Sequence, residues 1–172
     1  MRGPGLTSIL LLAVFFGGSA AAICEFAAGN FRVQYGLMGQ NIYFQLVLAG
    51  VPNTNGWTAI GFGNSMFSGL DVIVIRLLNG RVHVTDEYVR GHTHPFPDTN
   101  SVSVTAASYQ NGMIMARFSR PVQTGDPYDH PLGGCSTWQF ATILNRMGPD
   151  GSLYHHSMRP VPHVVCLEQC RI

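Results

Sequence analysis

The chain is 172 residues long and only 11% of them are charged, a length that fits one domain able to bury its own core. Ten basic residues, all of them arginine, face nine acidic ones, for a formal net charge of +1. A surface so close to neutral offers no footprint for nucleic acid or an anionic membrane, and both are excluded as partners.

Residues 1–22 read as a secretory signal peptide. Arg2 gives a charged start, Leu6 to Phe16 is an apolar run, and Gly17 to Ala22 is a small-residue cleavage region. That run is too short to span a bilayer, and no later segment reaches the roughly 18 apolar residues of a membrane helix. A secreted, extracellular domain over residues 23–172 is therefore expected. It carries four cysteines, Cys24, Cys135, Cys166 and Cys170, an even count that reads as two disulfides with three pairings open. A weaker reading takes Cys166 and Cys170 as half a zinc site. No Asn-x-Ser/Thr sequon is present, so N-glycosylation is not expected.

Short β-type runs follow one another between turn residues. Asn30 to Leu37 alternates apolar and polar positions, and Asn41 to Ala49 is strongly strand-forming. Trp57 to Phe62 lies between Asn55-Gly56 and Gly63-Asn64. Asp71 to Leu78 is almost entirely β-branched or leucine, the pattern of a strand buried on both faces. Asn79-Gly80 is a type I′ hairpin signal into Arg81 to Val89, and Asn111-Gly112 joins Val102–Ser108 to Met113–Phe118 in the same way. Thr137 to Leu144 and Leu153 to His156 complete about nine strands with no sustained helical period. An all-β, antiparallel sandwich or barrel is expected.

Three stretches carry a family likeness. They are Gly56-Trp57-Thr58-Ala59-Ile60-Gly61-Phe62, then Gly69-Leu70-Asp71-Val72-Ile73-Val74, then Phe118 to Trp138 with Arg120-Pro121 and Gly125-Asp126-Pro127 followed by Asp129. In order and spacing they closely resemble the signature of the DOMON domain, over about Gly29 to Met158. The resemblance implies a β-sandwich of immunoglobulin-like two-sheet architecture. Some members bind a b-type haem, and others serve as cofactor-free sugar- or protein-binding modules.

In haem-bearing members the axial ligands are a Met from the Gly-rich loop after the Trp-containing strand and a His from a late strand. Carried over, these are Met66 and, in His156-Ser157-Met158, His156. His155 is the fallback, because neighbours on a strand face opposite ways and a one-residue slip exchanges them. A thioether suits haem iron or copper(I); the plain alternative is that Met66 plugs the end of the core. Trp57, Phe62, Phe67 and Phe140 are candidate walls, and Arg76 or Arg159 candidate partners for propionates. Asp71 reads as a structural carboxylate capping loop amides. Asp126 and Asp129 read as organisers of a Pro-containing turn, with Arg120 packed on or paired with that loop.

The expected function is therefore haem b binding for extracellular electron transfer or haem handling. As the chain stops at Ile172, the redox partner is expected to be a separate protein. The first rival is a cofactor-free module binding a glycan or a protein. The second is a copper protein built on His92 and His94, which lie on one side of an extended segment. No nucleophile–base constellation is visible, so an enzyme acting alone is not expected.

Overall fold

The protein is described from a computed structural model covering residues 22–97 and 99–172. All but the last residue of the expected signal peptide lies outside the described residues. Eleven strands run in chain order: β1 (Cys24–Ala28), β2 (Phe31–Met38), β3 (Asn41–Ala49), β4 (Gly56–Phe62), β5 (Leu70–Leu78), β6 (Arg81–Val89), β7 (Phe96–Pro97), β8 (Ser103–Gln110), β9 (Met113–Pro121), β10 (Cys135–Arg146) and β11 (Val161–Cys166). They form two antiparallel sheets, a five-stranded one ordered β1-β2-β3-β9-β8 and a six-stranded one ordered β11-β10-β4-β5-β6-β7.

Alternation in the sequence sets which side chains meet between the sheets. On the β2–β3 hairpin, Phe31, Val33, Tyr35 and Leu37 pair with Leu48, Leu46, Phe44 and Ile42, and all eight are buried. Trp138 of β10 sits at the centre, its ring 5.0 Å from those of Tyr35 and Phe62. Both Asn-Gly hairpin signals hold. Asn79 and Asn111 each take φ 52°, with Gly80 and Gly112 at 74° and 72°, the left-handed pair a type I′ turn demands.

The cysteines pair as Cys24–Cys170 and Cys135–Cys166. The first ties β1 to the carboxyl end, and the second crosses from β10 to its neighbour β11. No cysteine is free among the described residues, so the half zinc site is ruled out.

Two sequence expectations fail in instructive ways. The strand count is eleven and not about nine, because β1, β7 and β11 are added and the expected strand at Leu153 to His156 is absent. β11 contains Pro162, which argues against a strand, yet β11 is an edge strand, where a missing N–H is tolerated. Leu153 to His156 is not a strand: Leu153 makes one isolated bridge to Met147, and the residues after it run as a loop. No helix among the described residues is long and apolar enough to cross a membrane.

Candidate functional site

The six-stranded sheet departs from the usual pattern of one apolar and one polar face. On β5, Ile73, Ile75 and Leu77 enter the main core, while the alternate residues Leu70, Val72 and Val74 are buried on the opposite, outer face. β4 does the same, with Ile60 and Phe62 inward and Trp57 and Ala59 outward. That outer face has its own smaller core, closed by Met147 and Leu153 from the segment after β10.

Between the outer face and the flanking loops lies an apolar cleft of about 250 Å³ with an open mouth. Its floor is built from small or aliphatic residues, among them Ala59, Gly61, Val72 and Ala141. Three loops wall it. Met66 comes from the turn Met66–Ser68, His92 and His94 from the segment after β6, and His155 and His156 from the segment after β10.

Hydrogen bonds fix each wall. The carbonyl of Met66 accepts from the N–H groups of Gly69 (3.2 Å) and Gly91 (2.6 Å), joining two of the loops. Gly69 sits at φ 91°, and a Cβ there would meet the Tyr88 hydroxyl at 2.1 Å, so only glycine suits this position. His94 Nδ1 lies 2.9 Å from the carbonyl of Leu153, linking the second loop to the third. Trp57 Nε1 donates to the carbonyls of Arg146 (3.0 Å) and Tyr154 (3.2 Å). The buried Asn145 side chain accepts from the Ser157 N–H at 2.9 Å and donates to the Ile143 carbonyl at 3.2 Å. It follows a register shift in β10 between Ala141 and Asn145. The histidine-bearing segment is thus held from both sides.

Met66, His155 and His156, selected from sequence, all line this one cleft. The expectation that only one of the two histidines faces a given pocket fails, because it assumed a strand. In the loop their rings lie 4.1 Å apart. His155 is exposed, its Nδ1 2.9 Å from the His156 carbonyl. His156 is half-buried, and desolvation, helped by the neighbouring His155, lowers its pKa below the ordinary histidine value. That shift favours the neutral imidazole, the form in which histidine binds a metal.

Other candidates fall elsewhere. Phe62 and Phe140 face the main core and not the cleft. Phe67 is 71% exposed and packs edge-on against His92 at 4.8 Å. Arg76 is engaged on the outer face, its Nη2 donating to Glu87 at 3.0 Å, and Arg159 is exposed. Among the described residues the histidines do not bring three ligand atoms together; the one such grouping of His, Cys, Asp or Glu is Asp71, Asp86 and Asp129.

Asp71 and Arg120 form a fully buried ion pair at 2.6 Å, and Asp71 also accepts the His130 N–H at 2.9 Å. The capping role read from sequence is present, with a buried arginine added. Asp126 accepts the Tyr128 N–H at 2.8 Å and so organises its turn. Asp129 lies 3.6 Å from Arg120 Nη2 and accepts from Ser101 Oγ at 2.9 Å.

The comparisons with known proteins agree with this architecture. The family described as DOMON domain matches residues 27–143. A human relative, DOMON domain-containing protein FRRS1L, is 25% identical over 144 residues, which cover 81% of this chain. The matched region spans 46% of that relative, less than half its length. Two solved structures share the fold. The cytochrome b domain of pyranose dehydrogenase from Coprinopsis cinerea superposes with a TM-score of 0.63 at 13% identity, covering 87% of this chain and 84% of that one. The cytochrome domain of Myriococcum thermophilum cellobiose dehydrogenase gives 0.61 at 12% identity, covering 86% and 83%.

Proposed function

The chain belongs to the DOMON family, and on that premise we propose that its outer-face cleft holds a b-type haem, with Met66 and His156 as axial ligands, in a secreted protein that carries electrons. The observation that carries this reading is the meeting of Met66, His155 and His156 in one apolar cleft, from loops far apart in sequence.

Three further features support it. The cleft floor includes Ala59, Gly61 and Ala141, small residues that keep side-chain bulk off that part of the sheet. The cleft is small beside cofactor sites of roughly 300–1,000 Å³, but its mouth is open, so a planar group can rest with one edge in water. Between the two histidines, His156 is the half-buried one, its pKa lowered by desolvation, whereas His155 is exposed. The two solved neighbours are named as cytochrome domains. The haem would supply one-electron exchange at its iron. Met66 and His156 would hold the iron as a Met/His pair, a ligand set that raises the potential and suits an electron carrier. Two disulfides fit an oxidising compartment, and the amino-terminal sequence fits export into one.

The test is an absorption spectrum of the purified mature protein incubated with haemin, oxidised and then reduced with dithionite. Sharp reduced bands of a six-coordinate b-type cytochrome are expected, lost in Met66→Ala and in His156→Ala. A spectrum unchanged in both variants overturns the ligand assignment. If haemin leaves no spectrum at all, the cofactor-free glycan- or protein-binding reading takes its place.

A further inference from the structure

Between the two sheets, on the face of β5 and β6 opposite the cleft, three carboxylates converge. Asp71 lies on β5, Asp86 on β6, and Asp129 on the loop between β9 and β10. One oxygen from each lies within 4.8 Å of one from each of the others. The site is deep: the Asp71 and Asp129 side chains are 0% and 2% exposed, and Asp86 is 3% exposed.

Each carboxylate divides its two oxygens in the same way. The Oδ2 atoms face protein donors. Asp71 Oδ2 takes Arg120 Nη1 and the His130 N–H, Asp86 Oδ2 takes the Ser101 N–H at 2.9 Å, and Asp129 Oδ2 takes Ser101 Oγ. The three Oδ1 atoms, buried from solvent, have no hydrogen-bond partner, and neither does the Nε of the neighbouring Arg120. A buried carboxylate oxygen without a partner costs on the order of 1–3 kcal/mol, and three in one place need a common explanation. Charge gives the same answer. Arg120 is the one cation acting on Asp71 and Asp86, so the ionised cluster keeps a formal charge of −2.

We propose that Asp71, Asp86 and Asp129 form a buried calcium site, each giving one oxygen to the ion while its other oxygen is oriented by the protein. All-oxygen, anionic ligands select a hard cation over zinc or copper. Calcium accepts irregular carboxylate geometry and roughly six to eight oxygens, so backbone carbonyls or waters would complete the shell that three aspartates begin, whereas magnesium demands near-ideal octahedral geometry. Oriented second oxygens are what supporting hydrogen bonds around a metal ligand provide. The ion would join β5 and β6 to the loop between β9 and β10 that carries Asp129, and would brace the strand that follows the Met66 loop.

The test uses the full mature protein without haem, so its outcome is independent of the cleft's occupant. After removal of metals with EDTA, calcium is titrated in a calorimeter and thermal unfolding is followed with and without it. Saturable one-to-one binding is expected, with a rise in Tm and at least tenfold weaker binding in Asp86→Asn and in Asp129→Asn. Should a variant fold poorly, the wild-type titration alone decides. No heat and no Tm shift in the wild type overturns the proposal; the cluster then neutralises itself with shared protons. Binding of undiminished affinity in both folded variants overturns it too, because the ion then sits elsewhere.

Discussion

Replacing Asn145 with leucine tests whether the histidine-bearing wall of the cleft is held as described. The residue is 1% exposed, and leucine nearly matches its volume, so packing changes little while the hydrogen bonds vanish. The two best of these are the Ser157 N–H to Asn145 at 2.9 Å and Asn145 to the Ile143 carbonyl at 3.2 Å. A contact to the Trp57 carbonyl at 3.5 Å is too long to add much. Leaving two partly buried groups unpaired at about 1–3 kcal/mol each, one of them reachable by water, predicts a loss of about 2–4 kcal/mol. At ~2–4 °C per kcal/mol for a domain of this size, Tm falls by roughly 4–16 °C. Thermal unfolding measures the global effect, and hydrogen exchange at the Ser157 amide measures the local one, which should accelerate more than the β4 and β5 amides. Asn145→Asp is expected to be no better than leucine. It keeps the acceptor for Ser157 but turns a carboxylate towards the carbonyls that the amide donated to. A leucine variant melting within about 2 °C of wild type, with Ser157 still protected, would refute the argument, as would a well-tolerated aspartate.

Further expectations concern the cleft, the acid cluster and the disulfides. Gly61→Val puts a side chain on the cleft floor, where even a Cβ meets Leu70 Cδ2 at 2.4 Å. Because that atom is the end of a flexible chain, the fold should survive while haemin binding weakens at least tenfold by spectral titration; unchanged binding would place the ligand elsewhere. Burial raises Asp71 to about 6 and Asp86 to about 7, both above the ordinary 3.8. A raised folded pKa means that the folded chain holds these protons more tightly than the unfolded one. The contribution is complete below about pH 4 and is lost as pH rises through 6 to 7. In EDTA, the Tm of wild type relative to Asp86→Asn should therefore fall between pH 4 and 7.5; a flat or rising difference contradicts the burial argument. Removing the Cys24–Cys170 bridge, which closes a separation of 146 residues, should cost about 2–4 kcal/mol in denaturant unfolding.

Much of the sandwich was legible because its signals are local. Alternation on β2 and β3, the two Asn-Gly turns and the continuous apolar run of β5 each depend on a few adjacent residues. Even burial of β5 on both faces could be read from Asp71 to Leu78, although the sequence did not say what covers the outer face. That cover is assembled from segments with no period of their own. The stretch from Met147 to Pro160 is anchored by Trp57, Asn145 and His94, whose partners lie 59 to 97 positions away for Trp57 and His94. Nothing near Leu153 announces those contacts, so an apolar residue followed by aromatic ones was read as a strand. The same error made His155 and His156 compete for a single pocket that both in fact line. The acid cluster was opaque for a different reason. Asp126 and Asp129 look like one turn-organising pair, and Asp126 does hold its turn. Asp129 instead turns inward to Arg120, and its companions Asp71 and Asp86 come from paired strands in the register Asp71↔Tyr88 and Ile73↔Asp86. That register is fixed by the Asn79-Gly80 turn. The hairpin signal therefore already implied that the two aspartates, with side chains on the same face and two positions apart across the ladder, would be neighbours. What it could not supply was Asp129, brought in by a loop from beyond the opposite sheet, and it is the third carboxylate that turns a pair of buried acids into a place for an ion.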